Sequence, residues 1–123
     1  MTSLCIWSYK NQPNQTMENP SLNYLQNLAN GNDQFKSKII QLLIDELPEE
    51  FERYNQAMDS KNYFWASEIV HKIKHKIAFF QMEKSYRITE DHENSLREGK
   101  LKYQVEFIEI ITKILNFLPN CKN

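Results

Sequence analysis

From about residue 20 onward, apolar residues recur at intervals of three and four, the spacing of a helix with one buried face, and nowhere do they alternate as in a strand. Leu22, Leu25 and Leu28 predict a short helix that opens at Asn19-Pro20 and stops at Asn30-Gly31. Phe35, Ile39, Leu42, Leu43, Leu47, Phe51, Tyr54 and Met58 predict a long second helix from Asn32-Asp33, kinked at Pro48 because the stripe continues past it. An N-cap at Asp59-Ser60 introduces a third helix, from about Lys61 to Phe80. Residues 82–98 are polar, with a weak stripe through Met82, Tyr86 and Leu96, and read as a shorter, poorly packed helix ended by Gly99. The last helix, from about Lys100 to Leu118, carries one seam through Leu101, Val105, Ile108, Ile111, Leu115 and Leu118 and another through Phe107, Ile110, Ile114 and Phe117.

Helices joined by short connections predict an all-α fold, an antiparallel four-helix bundle with a short extra N-terminal helix, spanning residues 20–119. Residues 1–19, polar around Leu4, Ile6 and Trp7, are expected to be a tail or an arm packed on the body.

Composition narrows the function classes. The 123 residues suit one domain, and 15 basic against 16 acidic side chains argue against a bulk electrostatic grip on nucleic acid. Only two glycines occur, which excludes glycine-rich phosphate loops and dinucleotide fingerprints. No apolar run is long enough for a bilayer, the start lacks a basic lead, and Cys5 and Cys121 form no CxxC pair; a cytoplasmic protein with reduced thiols is expected. No ATP-binding motif is present, so the chain is not expected to be a kinase or other enzyme.

The third helix is the exception to a chain otherwise short of chemistry. At about 100° per residue, Ala66, Ile69, Val70, Ile73, Ile77 and Phe80 share one face, and His71 and His75 point the opposite way, to solvent. Phe64 lies two turns before His71 and Ala78 two turns after, with Phe79 to one side and Lys74 and Ser67 flanking. Charge is segregated: residues 32–60 hold seven acids and three bases, residues 61–88 six bases and two acids, which predicts a basic surface around the histidines. Two histidines at i, i+4 are also a chelating spacing, but two ligands do not make a site and three lysines repel a cation, so no metal is expected. His92, in the polar segment, is expected to be solvated.

Val70-His71-Lys72-Ile73-Lys74, followed by Ile77-Ala78-Phe79-Phe80 and preceded by a long proline-containing helix, resembles the histidine-containing phosphotransfer domain of multistep phosphorelays. The resemblance covers about residues 20–118 and is best from 24 to 82. It implies that His71 accepts a phosphoryl group from the aspartyl phosphate of a response-regulator receiver domain, or of the receiver of a hybrid sensor kinase, and passes it on. An exposed imidazole is substantially unprotonated at neutral pH, and the loose transition state asks mainly for alignment and positive charge. Lys74 would then stabilise phosphoryl charge, while Phe64, Ser67, Ala78 and Phe79 dock the receiver. Magnesium would come from the receiver, so the chain needs no cofactor, nucleic acid or membrane. One departure stands out: His75 occupies a position where the family usually has a small residue, and there it either crowds the partner or hydrogen-bonds the phosphoryl group. That motivates an alternative, a module that docks a receiver without accepting phosphate. The two-seamed last helix motivates another, a plain scaffold or dimerisation domain.

Overall fold

The computed structural model describes residues 18–121, so the expected N-terminal arm, with Leu4, Cys5, Ile6 and Trp7, lies outside the described residues. The described chain is all-helical: α1 (Asn23–Ala29), α2 (Asp33–Asp59), α3 (Tyr63–Ile77), α4 (Glu83–Arg97) and α5 (Gln104–Phe117), with single 3-10 turns at Ala78–Phe80 and Leu118–Cys121. Among the described residues, no helix is long and apolar enough to cross a membrane.

α1 and α4 stop at glycine turns that the sequence marks. Asn30 and Gly31 take left-handed φ values of 51° and 86° after α1, and Gly99 takes 74° after α4. Lys61 and Gln81 take the same conformation without being glycine, at φ 60° and 58°. Asn32 caps α2 as expected, its side chain accepting from the Phe35 amide at 3.0 Å. The cap of α3 is Asn62, not Asp59-Ser60: α2 runs through Asp59, Lys61 reverses the chain, and the Asn62 side chain accepts from the Trp65 amide at 3.1 Å. Similarly, α1 starts at Asn23 rather than Asn19-Pro20, because the Ser21 amide donates to the Phe80 carbonyl and the Gln81 side chain takes the Tyr24 amide. Pro48 sits inside α2, which continues through it as one 27-residue helix.

Packing follows chain order. α3 packs against α2 and α4, α5 against α4 and α2, and α1 against α2 and the 3-10 turn after α3. The core runs through Leu43, Leu47 and Tyr54 of α2, Val70, Ile73 and Ile77 of α3, and Phe107, Ile111 and Ile114 of α5. Of the two seams predicted on the last helix, Phe107, Ile110 and Ile114 face inward with Ile111, while Leu101 and Val105 remain exposed and the helix begins only at Gln104. Ile73 is fully buried, and Ile73→Ala is expected to destabilise the fold by about 2–5 kcal/mol in urea unfolding. A change below about 1 kcal/mol would place that residue at a yielding surface instead.

The expectation of a poorly packed fourth helix is corrected. α3 and α4 share the most extensive helix–helix contact, and α4 buries Ser85, Thr89, His92, Glu93, Ser95 and Leu96. Its inner face is polar but for Leu96, which hides it from a search for apolar stripes. Glu18 tethers its start: the carboxylate accepts from the Lys84 amide at 3.0 Å and the Ser85 amide at 2.8 Å, satisfying two donors that a helix N-terminus leaves open.

Candidate functional site

α3 turns its apolar stripe inward, which places His71 and His75 on its outer face, one helical turn apart. The His71 side chain is 47% exposed, and His75 is exposed as well. The ring is nonetheless anchored from beneath. His71 Nδ1 lies 2.9 Å from Oε2 of Glu93 on α4, a residue only 3% exposed. An ionised carboxylate can only accept, so Nδ1 carries the proton and Nε2 of neutral His71 holds the lone pair, on the solvent side.

Glu93 is the hub of the site. Its Oε2 also accepts from Arg97 Nη1 at 2.7 Å, and its Oε1 lies 3.1 Å from Lys74 Nζ. Burial pushes the carboxyl upward, and its hydrogen-bonding partners Lys74, His71 and Arg97 outweigh that, leaving it below the ordinary value and therefore charged at neutral pH. Arg97 reaches on to Glu68, and Lys74 has Glu90 at 3.7 Å.

His75 closes the outer side. Its Nε2 lies 3.2 Å from Nε2 of His71, with the rings nearly perpendicular at 87°. With His71 Nδ1 committed to Glu93, the consistent neutral arrangement has His75 Nε2–H donating to the His71 lone pair.

The structure corrects several expectations around this pair. Lys74 is 7% exposed and held under the surface by Glu93, so it does not stand free beside the histidines. Ser67 is fully buried, its hydroxyl donating to the Phe64 carbonyl at 2.6 Å, which removes it from any docking face. The expected basic surface is reduced by two lysines, Lys74 and Lys76, which are held in ion pairs. Lys76 is paired with Glu50 at 2.9 Å and Glu46 at 3.1 Å; burial pushes its amine down, but these two carboxylates outweigh that and leave it above its ordinary value. Lys76 thus ties the acidic segment to the basic one across the α2–α3 interface, while Lys61, Lys72, Lys84 and Arg87 stay exposed.

The apolar flank is present. Phe64 is 64% exposed and Ala78 is exposed, while Phe79 is half-buried against Tyr24 with ring centroids 6.4 Å apart. Trp65, beside Phe64, adds a second exposed aromatic that the sequence pattern did not single out.

His92 is not solvated. It is fully buried, its Nε2 lies 2.8 Å from the Tyr54 hydroxyl, its Nδ1 has no partner, and its ring packs on Phe107. Glu93 and Arg97 were legible only as an i, i+4 ion pair on a polar helix; the stripe Ser85, Thr89, His92, Leu96 is the signal that would have turned that helix inward. No protein-family model, curated protein or solved structure matches the chain.

Proposed function

We propose that α2 to α5 form an antiparallel four-helix bundle whose role is to carry a phosphoryl group on His71, as a phosphorelay intermediate between receiver domains. The cyclic order of packing, with α5 returning to α2, supports the bundle. The single observation that carries the function is the half-exposed His71 ring with Nδ1 bonded to the buried Glu93 carboxylate. That arrangement selects Nε2 as the nucleophile. Its lone pair forms the N–P bond as the P–O bond to the partner's aspartyl group breaks and the aspartate leaves as carboxylate. The proton on Nδ1 stays in place, and the positive charge that develops on the ring is met by Glu93, as a buried carboxylate serves an adjacent imidazolium in other histidine chemistry. Lys74 acts through Glu93, holding its carboxylate in position, and Phe64 and Ala78 supply the apolar contact with the receiver.

A second reading, docking without transfer, is favoured by the 3.2 Å contact between the two Nε2 atoms, since His75 must swing away before the lone pair is free. The same experiment separates the two. Receiver domains phosphorylated by a small-molecule phosphodonor are incubated with the chain and magnesium, and acid-labile, alkali-stable label is sought on it. Transfer predicts label in the wild type, none in His71→Gln, and equal or faster labelling in His75→Gly. Label that survives His71→Gln would remove His71 from the role. A wild type that binds receivers but acquires label only as His75→Gly would establish the docking reading.

A further inference from the structure

We propose that His71 and His75 together form a bidentate site for a late first-row divalent metal ion of the nickel and zinc class. The two Nε2 atoms are 3.2 Å apart. Imidazole nitrogens bind zinc at about 2.0–2.1 Å, so two donors at that separation subtend about 100° at the ion, close to the tetrahedral angle. The ions of this class favour imidazole, whereas magnesium and calcium favour oxygen.

The support beneath His71 is the kind a metal-bound imidazole uses. Its Nδ1–H is held by the buried Glu93 carboxylate, which fixes the tautomer, orients the ring and raises the basicity of Nε2. His75 has to carry its proton on Nδ1 and turn its Nε2 lone pair off the line to His71 toward a shared ion, and its exposure leaves room for the ring to turn and for water to exchange the tautomers.

The electrostatic objection raised by the sequence does not survive the structure. Of the three lysines near the pair, Lys74 is neutralised by Glu93 and Glu90, and Lys76 by Glu50 and Glu46. Only Lys72 remains on the exposed side. The network tied to His71 joins three carboxylates, Glu68, Glu90 and Glu93, to two cations, Lys74 and Arg97. The network is one charge negative, and Lys72 brings the neighbourhood to neutral, so charge no longer opposes a cation seated above it.

Among the described residues no group of three ligating side chains converges, so the remaining coordination positions belong to water or to an incoming ligand. An ion seated here consumes the His71 lone pair, so metal binding and phosphoryl acceptance exclude one another. The site does not depend on the relay reading, because binding is read directly.

The test is calorimetric titration of the full chain with nickel and with zinc at neutral pH, with magnesium as control, alongside His75→Ala and His71→Ala. Binding to Cys5 or Cys121 is common to all three proteins and cancels in the comparison. The expected result is one nickel-binding event that weakens by more than about tenfold in either variant while circular dichroism is unchanged, with both imidazoles shifting in the wild-type NMR spectrum. Equal affinity in wild type and His75→Ala, or a magnesium response matching that of nickel, would overturn the site. Should His71→Ala unfold through its effect on Glu93, the His75→Ala comparison decides alone.

Discussion

Replacing Glu93 with alanine is expected to destabilise the protein by about 3–5 kcal/mol, the range for removing one partner of a buried ion pair. The carboxylate is almost wholly buried and meets Lys74, Arg97 and His71 at 3.1, 2.7 and 2.9 Å. Without it, the Lys74 ammonium, itself only 7% exposed, keeps its desolvation penalty and loses its closest counter-charge. Glu90, at 3.7 Å and half-exposed, compensates only in part. The double change Glu93→Leu with Lys74→Met should recover most of the loss, because both buried charges go together and apolar volume replaces them. Urea unfolding of the three proteins checks this. A single change worth less than about 1 kcal/mol would mean that water reaches the pair and that it behaves as a surface bridge. The double variant also bears on the proposed relay: if it folds but His71 takes no label where the wild type does, the Glu93–Lys74 pair positions the ring as well as stabilising the fold.

Acid should unfold the protein earlier than its carboxylates alone require, and His92 is the reason. Burial lowers its pKa from an ordinary 6.5 to about 4. A histidine depressed in the folded state takes up its proton first in the unfolded chain, so its contribution is complete above pH 6.5 and is lost as pH falls towards 4. The difference corresponds to roughly 3 kcal/mol. Protonation would also leave one charged N–H with nothing to donate to, since Nε2 already engages Tyr54 and Nδ1 is without a partner. Folding free energies measured between pH 7 and pH 4 should therefore slope steeply in the wild type, and less so in His92→Gln. Parallel slopes would show that the imidazole is charged, or reachable by water, in the native state. Glu93, whose carboxyl lies below its ordinary value, adds a loss of the same sign at lower pH.

How far the sequence carried the structure depended on what each helix buries. α2, α3 and α5 bury aliphatic and aromatic side chains, and three- and four-residue spacing located them to within a few residues. The outward orientation of His71 and His75 followed from the same periodicity, because Ala66, Ile69, Val70, Ile73 and Ile77 fixed the opposite face. α4 was misjudged because it buries serine, threonine, histidine and glutamate, residues whose burial depends on partners that sequence does not display. From that one misjudgement came three consequences: His92 read as solvated, Lys74 read as free, and Glu93 overlooked. The charge segregation between residues 32–60 and 61–88 was real as a count but was taken as a surface field. In three dimensions Lys74 and Lys76 spend their charge on buried or half-buried glutamates, and only Lys61, Lys72, Lys84 and Arg87 of the second segment are left at the surface. The start of α3 was missed for a related reason: aspartate, serine and asparagine are near-equal caps, Asp59, Ser60 and Asn62 all stand at this boundary, and the left-handed turn at Lys61, which chooses between them, has no glycine to announce it.

The Glu18 carboxylate seats the first turn of the helix that carries Glu93, although 65 or more positions of chain separate it from the amides it holds. A surface histidine is usually thought of as belonging to its own helix. Here the aim of the imidazole is inherited at two removes, from α4 and from the stretch of chain leading into α1. Conditions or bound molecules that draw that leading stretch away would therefore be felt at His71 without touching it, and the boundary of the working unit lies upstream of the first helix.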